Sequence, residues 1–275
     1  MITQRVNVML IDFHTHIFPT KIADMAIKVL KAGMLKEQGY CIEPQYDGTV
    51  DGLKAMMQKN NIDISVTLPI ATRPKNTASI NTFVKGITDS GIISFATVHP
   101  ESDNYREELE QIAESGFKGI KLHPEFQHFY IDSKESVDIL QTAEKLGLYV
   151  VIHAGADIGM PPPVHCTPKM LKNVLSYISG KYLIAAHLGG YGMWDDVEKY
   201  LCGTEIYMDT AFLSRIIDRE QLKRIIKSHG SDKILFGSDA PWENPADTVA
   251  MINSLGLDRA ELDNIFYKNA QRILF

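Results

Sequence analysis

Met9-Leu10-Ile11-Asp12-Phe13-His14-Thr15-His16 is a short apolar run that ends in two histidines one residue apart. It reads as a buried strand, and in a strand the side chains at i and i+2 leave on the same face. His14 and His16 are therefore placed to hold one ion at the strand's end. Such pairs also occur without function, so the meaning of this one depends on what the rest of the chain brings to it.

Downstream, short apolar runs alternate with amphipathic helical segments. Strand one spans Val8 to Phe13, and a long insert with a helix from about Lys21 to Lys36 follows, reaching Gly48. Further strands read at 64–68, 92–98, 119–122, 149–152, 182–186, 206–209 and 234–237. Helices fall between them: Asp103 caps one over Tyr105 to Glu114, Ser133 caps another that Gly147 stops, and a last one covers Ala260 to Ile273. The strands are continuous apolar runs, as expected of parallel strands covered by helices. An α/β chain of this kind predicts a (β/α)8 TIM barrel, one domain over residues 1–275. A doubly wound open sheet is the competing architecture, but no G-x-G-x-x-G follows an early strand.

Composition agrees. Of 275 residues, 45% are apolar, enough for a full core. A net charge of −6 argues against nucleic acid or an anionic membrane as partner. No run approaches the roughly 20 apolar residues of a membrane span. Arg5 precedes only a short apolar run ending at Asp12, a poor signal peptide. Cys41, Cys166 and Cys202 lack metal-finger spacing and read as reduced thiols of a cytoplasmic protein.

The informative fact is position. His14, His16, His99, His123, His153 and His187 all sit at C-terminal ends of predicted strands, and Asp239 follows strand eight. In a barrel those ends form one mouth, where active sites are built. His128 and His165 read as loop residues and His229 as the end of a helix. Neutral imidazoles with a carboxylate suit Zn2+ or a similar divalent ion, which lowers the pKa of bound water to about 7. Asp239 is placed to take that water's proton.

The runs D-F-H-T-H, K-L-H-P, V-I-H-A-G, A-H-L-G-G and F-G-S-D-A-P-W, in this order from residue 12 to residue 242, resemble the amidohydrolase superfamily. More narrowly they resemble its amidohydrolase-related branch, which includes aminocarboxymuconate-semialdehyde decarboxylase and several lactone or amide hydrolases. The resemblance implies a barrel of the metal-dependent hydrolase type, with His14, His16, His153 and Asp239 as metal ligands and His187 as an acid/base beside the metal. Binuclear members carry a carbamylated lysine on strand four, where this chain has Lys121, so Lys121 and His187 are the candidate ligands of a second metal. One ion is expected rather than two, with Zn2+ first and Mn2+, Fe2+ or Co2+ as alternatives. The resemblance also implies a homodimer.

Around that centre, His123 is a candidate substrate contact, Arg73 a candidate carboxylate clamp through its planar fork, and Trp242 a pocket wall. Tyr191, Trp194 and Glu243 are further pocket candidates, while Lys121 in a barrel interior needs a carboxylate partner or loss of its charge. The expected activity is hydrolysis of an amide, ester or lactone bond of a small molecule. Asp239 would be the base, and His187 would steady the oxyanion or donate a proton. Non-oxidative decarboxylation of an unsaturated or aromatic acid at the same metal is the alternative. A barrel that binds without turnover is a third reading, which requires the whole constellation to persist without chemistry.

Overall fold

The computed structural model describes residues 9–275. Its strands are β1 (Ile11–Thr15), β2 (Ile64–Thr67), β3 in two pieces (Ile92–Ser94 and Ala96–Thr97), β4 (Gly119–Leu122), β5 (Tyr149–Ile152), β6 (Leu183–Ala185), β7 (Tyr207–Asp209) and β8 (Ile234–Leu235). Each pairs in parallel with its successor. The two pieces of β3 are continuous, because Phe95 between them still donates its N–H to the Thr67 carbonyl at 3.0 Å. β8 returns to β1. The Phe13 N–H donates to Phe236 at 2.8 Å, the Asp239 N–H to His14 at 2.8 Å and the His16 N–H to Ala240 at 2.7 Å. These bonds close the ring into the expected (β/α)8 barrel.

β1 differs from its sequence reading. It runs on to Thr15, and Val8, the expected start, lies outside the described residues. The pairing with β2 slips between Asp12 and Thr15, a bulge that re-aims consecutive side chains. Phe13 thereby joins an apolar cluster with Phe95, Val151, Ile184 and Leu235. Those residues come from strands on opposite sides of the ring, so they fill its interior, and His14 is turned into the mouth above them. Periodicity sees apolar residues but not the partner strand that sets the slip.

Local signals placed most helices. Ser133 accepts from the Ser136 N–H at the head of Lys134–Lys145, and Asp218 accepts from Gln221 at the head of Arg219–His229. Asp103 is not a cap: Asn104 holds that position before Tyr105–Glu114 and makes no side-chain bond. The last expected helix is divided into Arg259–Asp263, a wide turn over Asn264–Lys268, and Asn269–Leu274. The larger apolar cluster lies between the ring and its helices. Among the described residues, no helix is long and apolar enough to cross a membrane.

Two features shape the mouth. Helix α1 (Thr20–Gln38) packs Ile27 and Met34 with Trp242, Phe212 and Ile158, which sets it over the C-terminal rim. Gly155, at φ 85°, brings the turn after β5 against the turn after β6; a Cβ there would fall 2.0 Å from the Tyr191 nitrogen.

Candidate active site

His14, His16 and Asp239 meet at the seam between β1 and β8, their ligand atoms all within 4.8 Å of one another. Asp239 Oδ1 lies 2.9 Å from His16 Nε2 and 3.4 Å from His14 Nε2. The far nitrogens decide the tautomers. His14 Nδ1 donates to Asp209 Oδ2 at 2.7 Å, and His16 Nδ1 donates to the Leu68 carbonyl at 3.1 Å. Both Nε2 lone pairs then face a carboxylate oxygen, so three electron-rich atoms converge on one point. That is a donor set for a divalent cation, with Asp209 completing a carboxylate–histidine pair behind it. Burial, reinforced by the Lys121 ammonium, holds His14 well below its usual pKa and therefore neutral.

His153 stands apart from these three. Its Nδ1 is 3.0 Å from His187 Nε2, and its Nε2 lies near Asp157 in a neighbouring group with His123. His187 Nδ1 donates to the Ala211 carbonyl at 3.0 Å, so its Nε2 carries the lone pair and His153 Nδ1 the proton between them. His153 Nε2 is left buried without a partner. His123 stacks on His153, with ring centroids 4.1 Å apart. Because His123 Nδ1 accepts from the Phe126 N–H, its Nε2 keeps a proton directed at Asp157, 3.4 Å away. His123 is therefore adjacent to the centre and a donor rather than a ligand.

Lys121 is fully buried, with its ammonium 3.3 Å from His14 Nε2. Burial lowers its pKa to about 8, against the pull of Asp209 and Asp239. No carboxylate lies within ion-pair distance of it among the described residues. His187 and Asp239 share a feature that no sequence pattern announced: both hold left-handed backbone, at φ 56° and 67°. Outside glycine, that conformation costs about 1 kcal/mol or more and gathers at functional sites.

A cavity of about 470 Å³ opens beside the centre, with Tyr191, Phe212 and Trp242 in its wall. The Tyr191 ring lies 6.1 Å from that of His187. Trp242 and Glu243 both line this cavity. Trp194 instead donates its indole N–H to the His187 carbonyl at 3.3 Å. Arg73 is exposed at the start of a short turn, where its carbonyl accepts from Asn76, and Arg215 is the arginine that lines the cavity.

Glu243 is buried, and burial pushes its carboxyl up to about 7 despite hydrogen bonds from Ser214 and Thr248. The unfolded chain, near the ordinary 4.5, gives up this proton first, so stability falls as pH rises from about 4.5 to about 7. Glu243→Gln is expected to flatten that decline by up to about 3 kcal/mol, read from denaturant unfolding at pH 5 and pH 7.5.

Sequence reasoning passed over Asp12, Tyr46, Asp157 and Asp209. Asp12 accepts from the Ser238 hydroxyl at 2.5 Å and from its N–H at 2.9 Å, joining β1 to the turn after β8. The Tyr46 hydroxyl donates to the His16 carbonyl at 2.6 Å. Asp209 ends β7, at the same rim that singled out the histidines. Applying that criterion to carboxylates would have found it.

Solved structures share the fold over nearly the whole chain. A 5-carboxyvanillate decarboxylase from Novosphingobium aromaticivorans, complexed with manganese and 4-hydroxy-3-methoxy-5-nitrobenzoic acid, matches with a TM-score of 0.73 at 16% identity, covering 98% of this chain and 96% of that one. A 2,6-dihydroxybenzoate decarboxylase from Rhizobium matches at 0.68 and 15%, covering 97% and 98%. A probable 2-pyrone-4,6-dicarboxylic acid hydrolase from Acinetobacter baumannii matches at 0.66 and 16%, covering 96% and 98%. The expectation of amide, ester or lactone hydrolysis as the main activity is corrected by this order, in which decarboxylases stand above the hydrolase. No curated protein sequence matches the chain. A family model described as amidohydrolase matches residues 11–275, and with the barrel and its histidine–aspartate centre in place, the chain belongs to that family.

Proposed function

We propose that the chain is a metal-dependent, non-oxidative decarboxylase of a small unsaturated or aromatic carboxylic acid, a carbon–carbon lyase. The observation that carries the reading is the His14–His16–Asp239 donor set with His187 nearby, whose ring lies 6.1 Å from Tyr191 in the wall of an aromatic-lined cavity. Two similar solved structures with decarboxylase names support it. A divalent ion held by His14, His16 and Asp239 would anchor the substrate's carboxylate and an adjoining oxygen. Manganese suits this nitrogen-and-oxygen set as well as zinc does. We read one ion per chain, since the ligand atoms of His14, His16 and Asp239 converge on one point; the Lys121 amine, 3.3 Å from His14 Nε2, must move aside or lose its proton as that ion binds.

The chain's own residues supply the rest. Tyr191, Phe212 and Trp242 flank a planar substrate and keep water from its ring. The bond from the ring to the carboxyl carbon breaks, its electron pair stays on the ring carbon, and a proton takes the vacated position as CO2 leaves. His187 would deliver that proton from Nε2 after drawing it from His153 Nδ1, and Asp239, as a carboxylate, would relay the replacement. Water then restores it.

The test is a panel of aromatic and unsaturated acids, lactones and amides, given to manganese- or zinc-loaded protein. We expect CO2 release, with one solvent deuterium incorporated per turnover in D2O, and loss of both on chelation. Ring-opened or deacylated product without CO2 would overturn the reading.

A further inference from the structure

We infer that Glu243 is a specificity-determining residue that selects substrates whose far end carries a hydrogen-bond donor, a hydroxyl or amino group, and rejects those with a second carboxylate. The inference rests on the decarboxylase reading for the reacting carboxylate and concerns the opposite end of the molecule.

The cavity of about 470 Å³ is walled in part by Trp242 and Glu243, three and four residues after Asp239. Its apolar walls are Tyr40, Ile42, Tyr191, Phe212, Ile216 and Trp242. Tyr191 and Phe212 lie 5.8 Å apart and only 34° from parallel, which suits a flat ring lying against them. Apolar walls hold such a ring but leave its ends unread; orientation falls to the few polar groups in the lining.

Of the carboxylate and amide groups among them, Glu243 is 3% exposed, whereas Glu43 and Gln45 are open to water. Its Oε1 accepts from the Ser214 N–H at 3.1 Å and from the Thr248 hydroxyl at 3.2 Å. Its Oε2 has only a 3.4 Å contact to the same Ser214 N–H. One oxygen of a buried carboxyl is thus left short of donors at the wall of a ligand-sized cavity. A hydroxyl or amino hydrogen would complete it.

A second carboxylate would meet the opposite situation. Above about pH 7, where Glu243 is ionised, it would come to rest beside a like charge in a poorly hydrated wall, where such charges repel strongly, so binding is compared at pH 8.5. Arg215, the cavity's arginine, is two-thirds exposed and is drawn to Asp247 at 3.6 Å. Glu43, also in the lining, adds negative charge, although Lys31 pairs with it at 2.6 Å. Discrimination by repulsion together with a satisfied donor is how a site separates acids of similar shape.

The experiment is calorimetric binding of 3-hydroxybenzoate and of isophthalate to manganese-loaded protein, native and Glu243→Gln. We expect 3-hydroxybenzoate to bind native protein about 10-fold or more tightly than isophthalate, and the substitution to shrink that ratio to about 3-fold or less. Isophthalate binding equally well or better, an unchanged ratio in the folded variant, or no binding of either acid would overturn the inference. If Glu243→Gln does not fold, the native ratio alone decides. CO2 assays on the same samples keep the two ideas separate: the expected ratio without CO2 from any acid would sink the decarboxylase reading and leave the selectivity of the wall standing.

Discussion

Asp239→Asn is expected to reduce CO2 release by about 1,000-fold or more at saturating metal. The substitution isolates charge from shape. Asn is the same size as Asp and, with Asp, is the non-glycine residue that most readily accepts left-handed backbone, so the turn at φ 67° is preserved. What changes is the atom facing His14 and His16. Should the amide nitrogen take the place of Oδ1, its N–H would occupy the lone pairs meant for the ion, and the one anionic ligand of the three would be gone in either orientation. Weaker metal binding should accompany the lost turnover. Steady-state CO2 assays at increasing manganese separate the two effects, and activity within 10-fold of native at saturation would remove Asp239 from the proton chemistry.

Asp209→Asn is expected to weaken metal affinity 10- to 100-fold in a protein that remains folded. Asp209 Oδ1 accepts from the His187 N–H at 2.8 Å and from the Ala211 N–H at 3.1 Å. An asparagine oxygen can keep both bonds. Its amide group must then occupy the Oδ2 position, 2.7 Å from His14 Nδ1, where donor would meet donor. The imidazole escapes by moving its proton to Nε2, and that tautomer has no lone pair for an ion. Manganese titration monitored by calorimetry reads the loss, and circular dichroism checks the fold. Native affinity in Asp209→Asn would show that the tautomer of His14 is fixed by something else.

The fold was legible because a barrel repeats one signal. Each apolar run between amphipathic helices is weak evidence, but eight of them in a chain of 275 residues leave little freedom of architecture. The rim position of the histidines followed from the same count. His153 was placed at the correct strand end, yet its ring is turned toward His187 and Asp157, because a side chain's direction depends on partners that lie far off in sequence. Arg73 shows a related limit: residue type suggested a clamp, while the structure leaves it exposed at the head of a short turn and outside the cavity's lining. Lys121 was seen as a problem of buried charge, and the expected carboxylate partner is a histidine instead. The reaction was the least legible part, since hydrolases and decarboxylases share this framework and differ in walls contributed by loops.

The closure of the ring between its first and last strands has a consequence for folding. His16 and Asp239 are 223 residues apart in sequence, yet they touch where the two ends of the chain meet. The ligand set is therefore absent from any partly folded chain that has not brought its last strand back to its first. An ion captured at that junction acts as a cross-link: it binds only the finished ring and holds shut a loop that spans 223 residues. Metal should then leave the early folding phases unchanged and slow unfolding. The loop-closure entropy of nearly the whole polypeptide sits behind one coordination site.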